Sequence, residues 1–446
     1  MQRNVAEPLR LTRQRRVGYL AAMSSPHPSA PSPRVSALEP FLAMEVMERA
    51  FELEAAGRDI LHLEIGEPDG APPPAALTAC SEALLGGETR YTDSRGLVEL
   101  REAICADLGR RFGVSVQAGR VMVTSGTSPA LLLVFASLLE HGGEVLVPTP
   151  HYPCYPNFVR FCGGQPVFVP TRAEDGFSVQ VDAILAARTE RTRAVIVGSP
   201  ANPTGAVLPR ETLEALAAAG LPIVSDEIYD GLTYEADGIV SALEIEGPSP
   251  VYALDGFSKR YAMTGFRLGW VVAPEADVRR LQIMQQSFFI SASRFVQHAG
   301  IAALEHGAAE VAARRDRYRP RRDRLVAGLR ALGFGVARAP AGAFYVLADA
   351  RRFGADSRAL AFELLERAGV GVTPGIDFGA AAEGHLRFCF AVADETIDAA
   401  LERLAGVLPE IERSAAAGES AAAGKSAAAG ESAAARKSAA AGGETA

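Results

Sequence analysis

Between residues 34 and 413 the chain alternates short apolar runs with longer amphipathic ones. The short runs are rich in valine and isoleucine and predict strands at Arg120–Thr124, Glu144–Pro148, Pro166–Val169, Ala194–Gly198, Pro222–Ser225 and Val251–Leu254. Nearly every position in them is apolar, which is typical of strands covered on both faces. Amphipathic stretches such as Ser128–His141 and Arg210–Ala219 predict helices between several of these strands. The alternation predicts an α/β fold with a mostly parallel sheet and helices on both sides.

The pattern changes from Glu310 onward. An arginine-rich stretch there predicts a long charged helix with a kink at Pro320. We interpret its charges as a solvated face that connects two domains, in preference to a nucleic-acid patch. Beyond it, Gly342–Leu347 and Leu386–Phe390 predict strands of a smaller α+β domain.

The two ends of the chain differ in composition from this body. Residues 1–33 are rich in arginine and then in proline and serine, and their apolar run Val17–Met23 has no clear continuation into a signal-peptide cleavage site. Residues 414–446 repeat Ala-Ala-Ala-Gly-(Glu or Lys)-Ser and show no apolar stripe. We predict a disordered extension at the N-terminus and a disordered tail, helical at most transiently, at the C-terminus.

Composition and charge narrow the function. A net charge of -8 and a pI near 5.6 argue against nucleic acid as a partner. Seven dispersed histidines show no H-x-x-x-H spacing, and no C-x-x-C pair occurs, so we expect neither a metal site nor a disulfide framework. No stretch reaches the roughly 20 apolar residues of a membrane span. A reducing cytoplasm is the expected location.

Lysine is nearly absent from the chain. Of 45 basic residues 42 are arginines, and two of the three lysines lie in the repetitive tail. The third is Lys259. Only a primary amine forms a Schiff base, because a guanidinium stays charged and offers no nucleophilic nitrogen. An arginine-biased composition explains a single remaining lysine as well as a Schiff-base role does. The residues around Lys259 must distinguish these two interpretations.

Two turns that follow predicted strands carry groups suited to ligand oxygens. In Val123-Thr124-Ser125-Gly126-Thr127-Ser128-Pro129 a strand enters a turn of small residues, and Pro129 begins a helix. The amides and hydroxyls there suit a phosphate, although a capped helix would look the same. In Ser199-Pro200-Ala201-Asn202-Pro203-Thr204-Gly205 the prolines restrict the turn and Asn202 presents an amide. An ordinary turn is the alternative.

Two further motifs supply an acid and the amine. In Ile223-Val224-Ser225-Asp226-Glu227-Ile228-Tyr229 the strand ends at Asp226, which can pair with a cationic nitrogen, and Tyr229 can donate to a phenolic oxygen. Lys259 follows the last predicted strand, and Arg260 or Arg267 would lower its pKa if either charge lay close. Together the motifs supply a phosphate cradle, an acid for a ring nitrogen, donors for a ring oxygen and an amine for an aldehyde. Pyridoxal 5'-phosphate has all of those groups.

In this order the motifs resemble the class I/II aminotransferases of fold type I, from about residue 36 to 410. The resemblance implies a seven-stranded, mostly parallel sheet in a large cofactor-binding domain, residues 71–310. It also implies a smaller α+β domain made of residues 34–70 and 311–413, the latter including the linking helix. The family's activity is transfer of an amino group from an L-amino acid to a 2-oxo acid with pyridoxal phosphate, in a homodimer.

The resemblance also implies roles for individual residues. Lys259 would bind the cofactor aldehyde and shuttle protons, Asp226 would hold the ring nitrogen protonated, and Asn202 and Tyr229 would bond the ring oxygen. Other positions match groups that hold the phosphate or stack on the ring; they are Ser125, Gly126, Thr127, Ser128, Arg267, Tyr152 and, from a neighbouring subunit, Tyr91. Gly66, Asn202 and Arg387 match residues that receive the substrate carboxylate.

Two departures bear on substrate choice and phosphate binding. Gly256 stands three residues before Lys259, where some members place a phosphate-binding serine. The stretch from Gln285 to Ile290 is neutral and aromatic where dicarboxylate-specific members supply an arginine, which favours an apolar or aromatic donor. Arg294 lies close to this stretch in sequence and could supply the charge, so a dicarboxylate substrate remains an alternative.

Two other functions remain as alternatives. A lyase on the same scaffold would eliminate a β-substituent and release pyruvate and ammonia without an acceptor. A transcription regulator with an aminotransferase-like domain would need a winged helix-turn-helix ahead of it. The 33 residues before the body are too few to build one.

Overall fold

The computed structural model describes residues 32–235 and 238–441. Its strands are β1 (Leu61–His62), β2 (Val121–Thr124), β3 (Glu144–Thr149), β4 (Gln165–Pro170), β5 (Thr192–Gly198), β6 (Ile223–Asp226), β7 (Val251–Gly256), β8 (Gly269–Val272), β9 (Tyr345–Asp349), β10 (Val370–Gly371), β11 (Thr373–Pro374) and β12 (His385–Cys389). The predicted N-terminal extension lies outside the described residues except at its last two positions.

The helices follow in the same order. They are α1 (Pro33–Ser36), α2 (Leu42–Ala55), α3 (Pro74–Leu85), α4 (Val98–Phe112), α5 (Thr127–Leu138), α6 (Cys154–Phe161), α7 (Val181–Ala186), α8 (Arg210–Ala218), α9 (Glu275–Phe288), α10 (Arg294–His306), α11 (Ala308–Ala331), α12 (Ser357–Ala368) and α13 (Asp394–Ala441). The predicted linking helix is α11, and it continues through Pro320. None of the helices in the described ranges is long and apolar enough to cross a membrane.

Seven strands form the large sheet, in the order β2-β8-β7-β6-β5-β3-β4. The pairs β3–β4, β3–β5, β5–β6 and β6–β7 are parallel, whereas β8 is antiparallel to both β2 and β7. The α/β class and the mostly parallel seven-stranded sheet are confirmed. The apolar runs predicted six of these strands. They did not predict β8, which has only four residues and begins two residues after Arg267.

The second part of the fold is built from the two ends of the body. Strands β11, β12 and β9 form an antiparallel sheet, and β1 pairs with β10 in parallel. Leu63, which follows β1, packs in one hydrophobic core with residues 318–411, among them Phe344, Leu364 and Leu404. This arrangement agrees with an α+β unit that joins an N-terminal segment to the C-terminal region. The domain boundaries themselves stay predictions.

The tail differs from the expectation. Helix α13 begins at Asp394 and runs to Ala441, so the structure gives a helical backbone to most of the segment predicted as disordered. Alanine has the strongest intrinsic helix preference, and it occupies about half of the repeat, which favours this continuation over the glycines.

Candidate active site

A cavity of about 640 Å³ opens beside the carboxyl ends of the central strands. This is the edge at which parallel α/β sheets bind ligands. Most of the residues predicted for the site line it, namely Gly66, Thr127, Ser128, Tyr152, Asn202, Asp226, Tyr229, Lys259, Arg267 and Arg387. They come from seven separate segments of the chain. Ser125, Gly126 and Tyr91 do not line the cavity.

Lys259 follows β7 and extends into the cavity, where its Nζ donates to the backbone oxygen of Gly66. Burial, followed by the positive charge of Arg387, lowers the pKa of this amine to about 8. Arg267 makes a smaller contribution of the same sign. Arg260, the other arginine considered for this effect, is buried against Asp107 at 3.0 Å instead.

Asp226 ends β6 and is buried in the cavity wall. Its Oδ2 accepts the hydroxyl of Tyr155 at 2.6 Å, and its Oδ1 accepts the amide of Ile228 at 3.3 Å. Burial raises the pKa of this carboxyl, and the hydrogen bond from Tyr155 opposes the rise. Tyr155 was not predicted from the sequence. A buried carboxylate with one hydroxyl donor suits a cationic partner in the cavity.

Arg387 also lines the cavity and is fixed by three hydrogen bonds. Its Nη2 donates to the backbone oxygen of Glu64 at 2.7 Å and to the hydroxyl of Thr373 at 3.0 Å, and its Nη1 donates to Oδ1 of Asn202 at 3.0 Å. The guanidinium carbon lies 4.2 Å from the centre of the Tyr345 ring. Its buried Nε has no partner among the described residues. A donor fixed in this way suits a carboxylate.

Tyr229 meets a second tyrosine that the sequence did not predict. Its Oη lies 2.8 Å from that of Tyr345, which lies on β9. A hydroxyl has one hydrogen and two lone pairs, so each tyrosine can still bond a further partner. Tyr345 therefore positions the predicted donor to a ring oxygen.

The turn after β2 fits an anion. Gly126 has a φ of +98°, and a Cβ there would lie 2.6 Å from Nη2 of Arg267, so glycine lets the guanidinium approach the turn. Helix α5 begins at Thr127 and no side chain caps it. Its first amides and the Arg267 charge thus face the same end of the cavity. Arg267 is held there by a 2.9 Å bond from Nη1 to the backbone oxygen of Thr264.

The remaining predicted residues divide between the cavity and the surface. Tyr152 presents its ring to the cavity and packs edge-on against Phe41, with ring centres 6.1 Å apart. Ser258 lines the cavity, although the phosphate-binding hydroxyl expected near Gly256 in some relatives is absent. Tyr91 is 81% exposed in this single chain.

The wall that sequence motifs did not reveal comes mainly from α2 and the residue before it. Phe41, Ala43, Met44 and Met47 line the cavity together with Ile65. Among the described residues, the cationic side chains that line the cavity are Lys259, Arg267 and Arg387. Arg294 pairs with Glu88 and is not part of the lining. The helical periodicity of α2 predicts which of its faces is buried. It does not predict that other side chains of this helix line the cavity.

Comparisons with known proteins agree with this geometry. Residues 58–404 match the family model for aminotransferase class I and II. The chain is 40% identical over 384 residues to an aspartate/prephenate aminotransferase of Thermus thermophilus, covering 84% of this chain and 98% of that protein. It is 38% identical over 374 residues to an arginine–pyruvate transaminase of Pseudomonas aeruginosa, covering 81% and 93%. The solved aspartate aminotransferase from Thermus thermophilus with maleate superposes with a TM-score of 0.81 at 40% identity, covering 85% of this chain and all of that one.

The fold thus brings a buried amine, a buried acid and a turn suited to an anion together at one edge of the sheet. The chain belongs to the class I and II aminotransferase family. It transfers an amino group between an amino acid and a 2-oxo acid.

Proposed function

We propose that the cavity binds pyridoxal 5'-phosphate through Lys259 and moves the amino group of an apolar or aromatic L-amino acid to a 2-oxo acid. The observation that carries the proposal is the buried Lys259 amine, with its pKa lowered to about 8, in one cavity with Asp226 and Arg387. A lysine of this kind is partly neutral, and hence nucleophilic, at physiological pH.

The residues present fit this cofactor group by group. Asp226, Asn202 and Tyr229 all line the cavity. The Asp226 carboxylate would pair with the ring nitrogen, and Asn202 and Tyr229 would bond the ring oxygen. The first turn of α5 and Arg267 would hold the phosphate, with Tyr152 against the ring. Ser125 and Gly126 shape that turn behind the cavity wall. When bound, the cofactor supplies an aldehyde that takes up the amino group and a ring that withdraws electrons from the substrate carbon.

The protein's own part in the reaction is to orient and to move protons. Arg387 and the backbone of Gly66 would bind the α-carboxylate, which turns the Cα–H bond of the donor toward Lys259. The Lys259 Nζ would take the proton from Cα of the donor, hold it as an ammonium and return it to the carbon that has taken up the amino group. Burial favours the neutral amine needed for the first of these steps.

The donor class follows from what is left of the cavity. Lys259, the phosphate-binding turn and Arg387 are assigned to the cofactor and the α-carboxylate. The part of the lining left for the donor side chain includes Phe41, Met44, Met47 and Ile65. This wall is apolar and aromatic-lined. The lining also includes Glu67, whose carboxylate accepts the Thr264 hydroxyl and would repel a second carboxylate. An uncharged side chain is therefore favoured over aspartate.

Replacement of the lysine tests the cofactor assignment. Lys259→Arg keeps the charge but removes the nucleophilic amine, so we expect turnover to fall by about a thousandfold or more and the visible absorbance of the lysine-bound cofactor to disappear. Lys425→Arg is the matched control, because it makes the same substitution in the tail repeat. Wild-type turnover and absorbance in Lys259→Arg would refute the assignment.

Single-turnover half-reactions test the donor class. Phenylalanine and leucine should react with higher kcat/KM than aspartate or arginine, because only their side chains match the apolar wall. A preference for aspartate would contradict the proposal. A separate incubation with a donor that carries a thiol leaving group on Cβ addresses the lyase alternative. Release of pyruvate and ammonia without an acceptor would indicate elimination.

We also propose that the enzyme works as a homodimer in the cytoplasm. Leu85 is 88% exposed, Tyr91 is 81% exposed and Phe288 is 64% exposed. The segments that carry them are neighbours, because Glu88 pairs with Arg294 and the Thr92 amide lies 3.4 Å from the Ser291 hydroxyl. Exposed apolar side chains on neighbouring segments favour a second copy as their partner. The free state of all five cysteines supports a reducing compartment.

A further inference from the structure

The apolar wall of the cavity depends on how helix α2 begins. The first amides of any helix have no partner within it and need one from outside. Phe41, the residue before α2, provides no side-chain cap. Instead Oδ1 of Asp377 accepts the Leu42 amide at 2.9 Å and Oδ2 accepts the Ala43 amide at 3.2 Å. The carboxylate also lies at the positive end of the helix dipole, where a negative charge is stabilising.

Asp377 is itself held in a fixed turn. It lies in the 3-10 turn Gly375–Phe378, between β11 and the strand that carries Arg387. The Ile376 amide donates to the Ser357 hydroxyl at 3.1 Å, and the Ser357 amide donates to the Glu383 carboxylate at 2.7 Å. The turn therefore fixes the start of α2 relative to the sheet formed by β11, β12 and β9.

The same end of α2 presents the side-chain wall. Phe41, Met44 and Met47 lie within the first two turns or just before them, and all three line the cavity. Apolar packing holds the buried face of α2, and the other polar ties to this region lie nearer the surface. Glu39 exchanges two hydrogen bonds with Asn157, of 3.0 and 2.9 Å, and Glu45 accepts Arg358 at 2.8 Å. Asp377 is the contact that acts on the helix backbone directly beside the wall.

We propose that Asp377 is a positioning residue, which fixes the start of α2 and so sets the wall that contacts the side chain of the amino donor. The proposal rests on the proposed function. It requires no contact between Asp377 and the substrate. Its consequence is selective: donors whose side chains reach Phe41, Met44 and Met47 depend on Asp377, whereas alanine, which ends at Cβ, does not.

A comparison of two donors in one variant tests this selectivity. For Asp377→Ala, we expect kcat/KM for the half-reaction with L-phenylalanine to fall about tenfold, and that with L-alanine to stay within about twofold of wild type. Hydrogen exchange at the Leu42 and Ala43 amides should become faster in the same variant. Asp377→Asn keeps the volume and one acceptor oxygen, so it should show a smaller change in the donor ratio.

Arg358→Ala is the matched control, because it removes an exposed tie to α2 and leaves Asp377 in place. It should leave both donors unchanged. An equal loss for both donors, or an unchanged donor ratio, in Asp377→Ala would overturn the proposal. If Asp377→Ala does not fold, the donor ratio in Asp377→Asn decides in the same way. A wild-type enzyme that transaminates no donor would instead refute the proposed function.

Discussion

At the scale of single residues, the environment of Lys259 leads to a pH prediction. Burial and the Arg387 charge bring the pKa of this amine to about 8, against about 10.4 for an unperturbed lysine. The neutral amine therefore forms as the pH rises through about 8. In protein freed of cofactor, the rate of labelling of Lys259 by an amine-reactive reagent should follow this midpoint, as measured by mass spectrometry. Arg387→Met should raise the midpoint, because a repelling charge is removed.

The reference for this experiment is N-acetyl-lysine, labelled under the same conditions. A Lys259 midpoint near that of the reference would show that the amine is not desolvated in solution. A lower midpoint in Arg387→Met would contradict the sign of the charge effect.

Residue identities in the site were predictable where they lay within short motifs. Asp226, Asn202 and Lys259 each follow a predicted strand, and parallel strands bring their carboxyl ends to one edge. Tyr345 was not predictable in the same way, because its contact with Tyr229 joins positions 116 residues apart. Tyr155 lies three residues after Tyr152, in the first turn of α6, but only the fold shows that its hydroxyl meets Asp226. The catalytic and binding roles stay predictions.

At the scale of elements, the packing of β7 against β8 accounts for the glycine at position 256. It ends β7 beside β8, and a Cβ there would lie 3.0 Å from the backbone oxygen of Leu268 and 3.1 Å from Cα of Gly269. Both neighbours are backbone atoms of the paired segment and cannot turn away. We predict that Gly256→Ser lowers the free energy of unfolding by about 1–3 kcal/mol, measured by denaturant titration.

The control is Gly119→Ser, because a Cβ at Gly119 meets no atom within 4 Å. This variant should unfold close to wild type. If Gly256→Ser were as stable as its control, the close approach of β7 and β8 would not explain the glycine.

Elements were predicted best where the apolar run was long and bounded. The predicted run Ala194–Gly198 lies within β5, and the predicted helix Arg210–Ala219 matches α8 to one residue. Strand β8 has only four residues, and a short apolar run is not distinguished from a buried helix segment by periodicity. Its antiparallel direction comes from pairing between β2 and β7, which no local pattern encodes. In the tail, alanine favours a helix and glycine opposes it. Their effects on helix stability are similar in size, so composition alone did not predict the outcome.

At the scale of the whole molecule, the exposed surface around Leu85, Tyr91 and Phe288 predicts a dimer whose disruption weakens cofactor binding. Wild-type enzyme should sediment at twice the mass of the chain. Leu85→Asp combined with Phe288→Asp places charges on this surface and should produce monomers, because unpaired charges in an interface are costly. Cofactor affinity should fall with dissociation, since the Tyr91 hydroxyl would no longer reach the phosphate of a neighbouring subunit. Tyr91→Phe should lower the affinity without producing monomers.

Leu185→Asp is the control for added charge, because Leu185 is an exposed apolar residue on α7, outside this surface. It should leave both mass and cofactor affinity unchanged. A monomeric wild-type enzyme at micromolar concentration would contradict the dimer. Monomers of the double variant that bind cofactor as tightly as wild type would contradict the role of Tyr91 instead, because that role requires the hydroxyl to come from the other copy.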